Sequence, residues 1–143
     1  MNIREMKIED YSEVFGLWTS SEGVGLRSLD DSEEGIKKFL QRNERTNFVV
    51  VDNDKIAGVI LCGHDGRRAY IYHMFVDEKY RGHGLGKKLV DTVMEALRSE
   101  GINKVALVVF SDNQIGNPFW KAIGFEKRDD LYYYNKSLNS ANY

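Results

Sequence analysis

An α+β fold, with a mixed and mostly antiparallel central sheet carrying helices on both faces, is predicted by three features of the sequence. β-Branched residues crowd into 48–51 and 56–61 around the turn Asp52-Asn53-Asp54, the pattern of a buried hairpin. The run Tyr70-Ile71-Tyr72-His73-Met74-Phe75-Val76 lacks clean polar alternation, as expected of a strand covered on both faces. Leu85, Leu89, Val93 and Leu97 then recur every fourth residue up to Gly101, and a further apolar run fills 105–110. Strand, helix and strand in that order imply a parallel crossover.

The other elements follow from local signals. Ile3, Met6 and Ile8 open the chain as a short strand. Tyr11, Val14, Phe15, Leu17 and Trp18 have the spacing of one helical face over about 9–20. A glycine-containing loop over 22–30 leads to Asp31-x-x-Glu34, an N-cap pattern for a second helix running to about residue 45. His64-Asp65-Gly66-Arg67-Arg68 is a polar turn before the strand at 70–76, with a wall of a binding site or a dimer contact as its alternative roles. A short helix ended by Gly124, then two strands around Phe125 and Tyr132-Tyr133-Tyr134, complete about four helices.

At 143 residues, 42% hydrophobic and 29% charged, the chain is expected to form one domain over 1–143 with a core that needs no disulfide or metal. Its single cysteine, Cys62, lies in an apolar run and is expected to be a buried thiol. No stretch has the length and apolarity of a membrane span, and the first residues lack a signal-peptide core. A cytoplasmic location is expected. A formal charge of -2 gives no general attraction to nucleic acid or anionic membrane, so neither is expected as a partner.

Chemistry concentrates in Val76-Asp77-Glu78-Lys79-Tyr80-Arg81-Gly82-His83-Gly84-Leu85-Gly86-Lys87-Lys88. This glycine-rich segment joins a buried strand to a helix N-terminus, where free N–H groups and a partial positive charge favour phosphate. Arg81, Lys87 and Lys88 oppose the helix dipole there by about 0.3–1 kcal/mol each, an arrangement that a bound polyanion relieves. A Rossmann fingerprint fails because Lys87 occupies its third glycine position. A Walker A loop fails because Arg81 replaces its first glycine and Lys88 its Ser or Thr.

The segment Arg81-Gly82-His83-Gly84-Leu85-Gly86 resembles the Gln/Arg-x-x-Gly-x-Gly/Ala signature of the GNAT acetyltransferase superfamily. Asn113-Gln114-Ile115-Gly116-Asn117-Pro118-Phe119-Trp120-Lys121-Ala122-Ile123-Gly124-Phe125 is similar to its second motif, Asn-x-x-Ala-x-x-Phe-Tyr-x-x-x-Gly-Phe. Element order matches over nearly the whole chain. The resemblance implies acetyl-CoA as cosubstrate, with no metal, in a notch between a splayed parallel strand pair. Backbone groups of Met74, Phe75 and Val76 would hold the pantetheine arm, and Arg81, Gly82, His83, Gly84, Leu85, Gly86 and Lys87 the diphosphate. Asn113 and Trp120 would also contact the cosubstrate, and His83 would act only through its backbone.

On this resemblance the chain transfers acetyl to a primary amine of a small molecule or amino acid derivative by direct attack. The alternatives are acetylation of a protein N-terminus or lysine, and a non-catalytic CoA-binding sensor. Relatives often dimerise through sheet edges, so a homodimer is compatible with it. Two familiar groups are missing: Trp120 stands where many relatives place an acidic tyrosine, and Val108 where some carry a glutamate. An indole N–H donates but does not ionise, so Trp120 cannot be a general acid. Candidate bases are His73, Tyr70, Tyr72, Glu22, Glu33 and Glu34, with His73 favoured for its ordinary titration range. Strict alternation would place Tyr70, Tyr72 and Met74 on one face and His73 on the other. Tyr134, among 132–134, is the candidate acid for the departing thiolate, and Glu22, Arg27 and Tyr72 are the candidate acceptor contacts.

Overall fold

The computed structural model describes residues 1–21 and 24–143. Five strands form one sheet in the order β1-β2-β3-β4-β5: β1 (Asn2–Glu5), β2 (Phe48–Asp52), β3 (Lys55–His64), β4 (Ala69–Val76) and β5 (Val105–Ala106). The first four pair antiparallel and β5 joins β4 in parallel, as expected. The β2–β3 hairpin closes through Asn53 and Asp54, both at positive φ (49° and 64°). That is the two-residue geometry whose twist matches the flanking strands, and Asn and Asp tolerate it well.

Helix α3 (Leu85–Ser99) covers one face of the sheet. It places Leu85, Leu89, Val90, Val93 and Leu97 against Val50, Ala57, Ile60, Cys62 and Ile71. Its end is closed by Gly101 at φ 77°, with the Ile102 N–H donating to Leu97 C=O, the left-handed cap that only glycine adopts without strain. Helices α1 (Tyr11–Thr19) and α2 (Glu33–Arg42) cover the other face, where Val14, Trp18 and Ile36 meet Val49, Val59, Leu61 and Phe75. A short α4 (Gly116–Ala122) ends before Gly124, as the sequence suggests.

Several expectations need correction. The first strand stops at Glu5 and gives way to a 3-10 turn over Ile8–Asp10. Ser32, not Asp31, caps α2, its hydroxyl accepting the Gly35 N–H at 3.1 Å. That helix ends at Arg42, because the next residues turn inward: Asn43, Thr46 and Asn47 are buried and bond to the β3 backbone at Cys62 and His64. The fifth strand pairs only at Val105 and Ala106, after which residues 107–110 alternate between half-buried and exposed rather than being covered.

The two closing strands around Phe125 and 132–134 are absent from the sheet. Residues 127–130 instead fold on themselves through Lys127–Asp129 and Arg128–Asp130 ion pairs. The chain end is drawn away to residues 28–30: the Ala141 and Tyr143 carbonyls accept from Ser28, Asn142 Oδ1 accepts the Leu29 and Asp30 N–H, and Asn142 Nδ2 and the Tyr143 N–H donate to Asp30 and Ser28. With no strand beside them, Tyr132 and Tyr134 stay 89% and 88% exposed.

Candidate active site

The site grows from the divergence of β4 and β5. Pairing stops after Tyr70 and Ala106, so the rest of β4 has an open edge. Which backbone groups line that edge follows from the ladder on the opposite side. The Asp77 N–H donates to Ala57 C=O at 2.8 Å, making that pair a hydrogen-bonded one. Antiparallel alternation then makes Phe75–Val59 the next such pair. Met74 and Val76 therefore turn their N–H and C=O toward the open edge, whereas Phe75 spends its own on β3. Of the three residues expected along the pantetheine arm, only Met74 and Val76 have backbone groups to offer. The Val76 carbonyl already accepts Arg81 Nε at 3.1 Å, with the guanidinium lying 5.5 Å from the Phe75 ring centre.

Below that edge lies the glycine loop. Gly82 and Gly84 have φ of 83° and 76°, a conformation that costs other residues about 1–2 kcal/mol. Gly84 is the N-cap of α3, and the first intrahelical bond runs from Lys88 N–H to Gly84 C=O. Among the described residues the amides of Gly82 through Lys87 find no acceptor, so they converge as free donors at a helix start. That arrangement fits a diphosphate. Leu85 is buried and contributes only backbone. His83 and Lys87 are exposed, and the Lys87 ammonium pairs with Asp91 at 2.7 Å. Gly86 has a second duty: a Cβ there would lie 3.0 Å from the Phe119 ring, so its absence lets α4 close over α3.

Asn113 Oδ1 accepts the N–H of Ile115 and Gly116 at the start of α4. Gly116, where the family pattern has alanine, is explained by the same contact, since a Cβ would come within 2.8 Å of Asn113 Nδ2. Trp120 packs edge-on against Phe119 and Phe125, each at 5.0 Å between ring centres. The aromatic ring beside the glycine loop and Met74 is thus Phe119, which the sequence reading missed.

Strict alternation on β4 does not hold. The register steps from Leu61–His73 to Cys62–Ile71, leaving Tyr72 as an extra residue in a β-bulge. One inserted residue reverses which side every later side chain faces. Tyr72 meets Phe39 of α2 at 5.3 Å and Tyr70 at 4.7 Å, while His73 meets Trp18 of α1 at 5.1 Å. Tyr70, Tyr72 and His73 consequently share the α1–α2 side, and of the four only Met74 faces α3.

His73 Nε2 lies 2.8 Å from Asp31 Oδ1, a partner the N-cap assignment had hidden. Burial raises Tyr70 and Tyr72 above the ordinary tyrosine range, with smaller contributions from neighbouring phenols for Tyr70 and from Cys62, Tyr133 and Asp30 for Tyr72. Both are neutral donors at neutral pH and cannot serve as bases. Glu33 and Glu34 are exposed in the first turn of α2. Arg27 has an exposed side chain and acts through its backbone, whose N–H donates to Asp31 Oδ2 at 2.7 Å. Glu22 lies outside the described residues. Tyr134 projects into solvent. The phenol that couples electrostatically to Tyr70 and Tyr72 is Tyr133 instead.

The architecture is shared with several solved structures. Ard1 from Thermoplasma volcanium superposes with a TM-score of 0.78 at 24% identity, over 87% of this chain and 82% of that one. An aminoglycoside N-acetyltransferase in complex with CoA gives 0.73 at 20%, over 95% and 99%. The ribosomal-protein-S18-alanine N-acetyltransferase from Escherichia coli gives 0.73 at 20%, over 89% and 78%. Residues 8–125 match the model of the acetyltransferase (GNAT) family. The chain belongs to that family and is an acetyl-CoA-dependent N-acetyltransferase.

Proposed function

We propose that this enzyme acetylates the primary amine of a small molecule or amino acid derivative, by direct attack on the thioester within a ternary complex. The observation that carries this is the open edge of β4 and its two sides. Free amides at 82–87 and the ring of Phe119 lie toward α3, while Tyr70, Tyr72 and His73 lie toward α1 and α2. One side suits a diphosphate and its arm; the other suits an acceptor.

The chain's own residues then have separable tasks. The glycine loop binds the diphosphate and sets how deep the arm reaches. Met74 and Val76 offer backbone groups along the edge, and the bulge frees the backbone at Tyr72 from its ladder, a place from which an N–H can polarise a carbonyl oxygen. Holding both reactants supplies most of the acceleration. An alkyl ammonium with pKa near 10.4 is about one part in a thousand deprotonated at pH 7, so a base is required. His73 is the group on this face whose chemistry suits that task.

Calorimetric titration with acetyl-CoA, alongside Gly84→Glu, tests the first step. Wild type should bind and the variant should not, because its carboxylate falls where the diphosphate lies. Release of free thiol across a panel of amines and peptides tests the second. An enzyme that binds acetyl-CoA and acetylates only peptide N-termini or lysines would refute the small-amine assignment.

A further inference from the structure

We propose that Asp31 is a positioning residue for acetyl transfer, fixing His73 in the tautomer whose Nδ1 carries the lone pair. The inference rests on the N-acetyl transfer proposed above. Every polar atom of Asp31 is engaged. Oδ1 meets His73 Nε2 at 2.8 Å, and Oδ2 accepts the Arg27 N–H at 2.7 Å. Its own N–H donates to Arg27 C=O at 3.0 Å, and its C=O accepts the Tyr11 hydroxyl at 2.6 Å. The residue is 6% exposed.

One carboxylate oxygen, Oδ2, ties down the 27–31 turn through the Arg27 N–H, which leaves Oδ1 and its bond to His73 without a local role. Ser32 already caps α2, so Asp31 is not needed for the helix, and a buried carboxylate is costly unless fully bonded. What the arrangement achieves is control of one imidazole. An ionised carboxylate only accepts hydrogen bonds, so Nε2 must carry the proton, and in the neutral ring Nδ1 is then the acceptor. Trp18, packed edge-on at 67° to the imidazole, blocks rotation of the ring. The fixed ring belongs to the residue between the Tyr72 bulge and Met74, whose backbone faces the open edge.

Charged and titratable groups around the pair are few among the described residues. Asp31 faces the imidazole directly, Tyr11 and Glu33 lie beyond Asp31, and Tyr72, with Asp30 near its phenol, lies on the strand side. No lysine or arginine side chain among the described residues bonds to either partner. In the reaction a proton passes from the acceptor ammonium to Nδ1, and the imidazolium is held against the Asp31 carboxylate. The neutral amine attacks the thioester carbonyl, the C–N bond forms, and the C–S bond breaks with its electron pair leaving on the CoA sulfur; the second N–H proton, shed as the amide forms, passes through solvent to the thiolate. The imidazolium returns its proton to solvent.

The test compares wild type, Asp31→Asn, His73→Gln and the double variant on the best amine of the panel. Asp31→Asn should lower kcat at least about tenfold, less than the roughly hundredfold or more that loss of the base itself costs. KM and Kd for acetyl-CoA should not change, since that site lies across the sheet. The double variant should be no worse than His73→Gln, as for residues that act as a unit. An O-alkyl hydroxylamine analogue of the same acceptor, unprotonated at neutral pH, should restore both single variants to within about twofold of wild type. Nitrogen NMR of the imidazole supplies a readout independent of turnover: a single Nε2–H tautomer in wild type, and a mixture in Asp31→Asn. A folded Asp31→Asn enzyme with wild-type kcat, or a wild-type ring protonated on Nδ1, overturns the assignment while leaving acetyl transfer intact. Acetyl-CoA binding with no acetylation of any amine overturns both.

Discussion

Replacing Gly35 with alanine should disable the acceptor side of the enzyme without touching acetyl-CoA binding. Gly35 sits in the first turn of α2, where an added Cβ would collide with the backbone carbonyls of Leu29 and Asp30 and come within 2.8 Å of the Asp30 carbonyl carbon. Those neighbours are main chain, so the loop itself must move. Overpacking of this kind costs about 1–3 kcal/mol. Alanine recovers about 0.8–1 kcal/mol of helix propensity in return, leaving a net loss between about zero and 2 kcal/mol. The functional effect should exceed the thermodynamic one, because the displaced segment leads into Asp31, one residue on, and through it to His73. Urea unfolding should show the modest destabilisation, calorimetry an unchanged acetyl-CoA affinity, and turnover a fall of about tenfold or more in kcat. A variant more stable than wild type by the full propensity gain, with unaltered kcat, would refute the collision and the link from loop to base.

Two further outcomes test other parts of the structure. Burial pushes the Cys62 thiol up to about 12 from an ordinary value of 9.0. A raised folded-state value means stability is complete below the unfolded pKa and lost as pH rises, so unfolding free energy should fall by about 1.4 kcal/mol per unit between those limits. Cys62→Ala should remove that slope in chemical denaturation, and native protein should resist alkylation at pH 8. Asn47→Leu strips partners from the buried Cys62 N–H and Asn43 C=O, each worth about 1–3 kcal/mol when left unsatisfied. Denaturation should register a loss of several kcal/mol, and a loss below 1 kcal/mol would mean water replaces the asparagine.

The shape of the loop proposed to hold the diphosphate was legible because it depends on neighbours in sequence. Strand, glycines and helix start are consecutive, and the conformations of Gly82 and Gly84 follow from what glycine alone tolerates. The acceptor side was not, because it depends on register and on distant pairings. Counting by twos along β4 cannot reveal a bulge, and that single extra residue at Tyr72 is what unites Tyr70, Tyr72 and His73 on one face. Asp31 looked like a helix cap because it stands beside Ser32, and only the fold shows which of the two does the capping. The run 132–134 has the composition of a strand, yet strand formation depends on an available partner edge as much as on propensity.

The hydrogen bonds that tie residues 28–30 to residues 141–143 join positions 112 to 115 apart in the chain. The strand, loop and helix proposed to receive the diphosphate are, by contrast, sequential neighbours. Contacts so distant cannot reward folding until a very long loop has closed, so the cosubstrate half of the site should assemble early and the acceptor half late. The same order in reverse governs opening. Amide hydrogen exchange should find the 28–31 segment unlocking well below the global unfolding free energy, and each such opening would release Asp31 and let the His73 ring turn. The enzyme would then spend part of its time able to hold acetyl-CoA yet unable to use it.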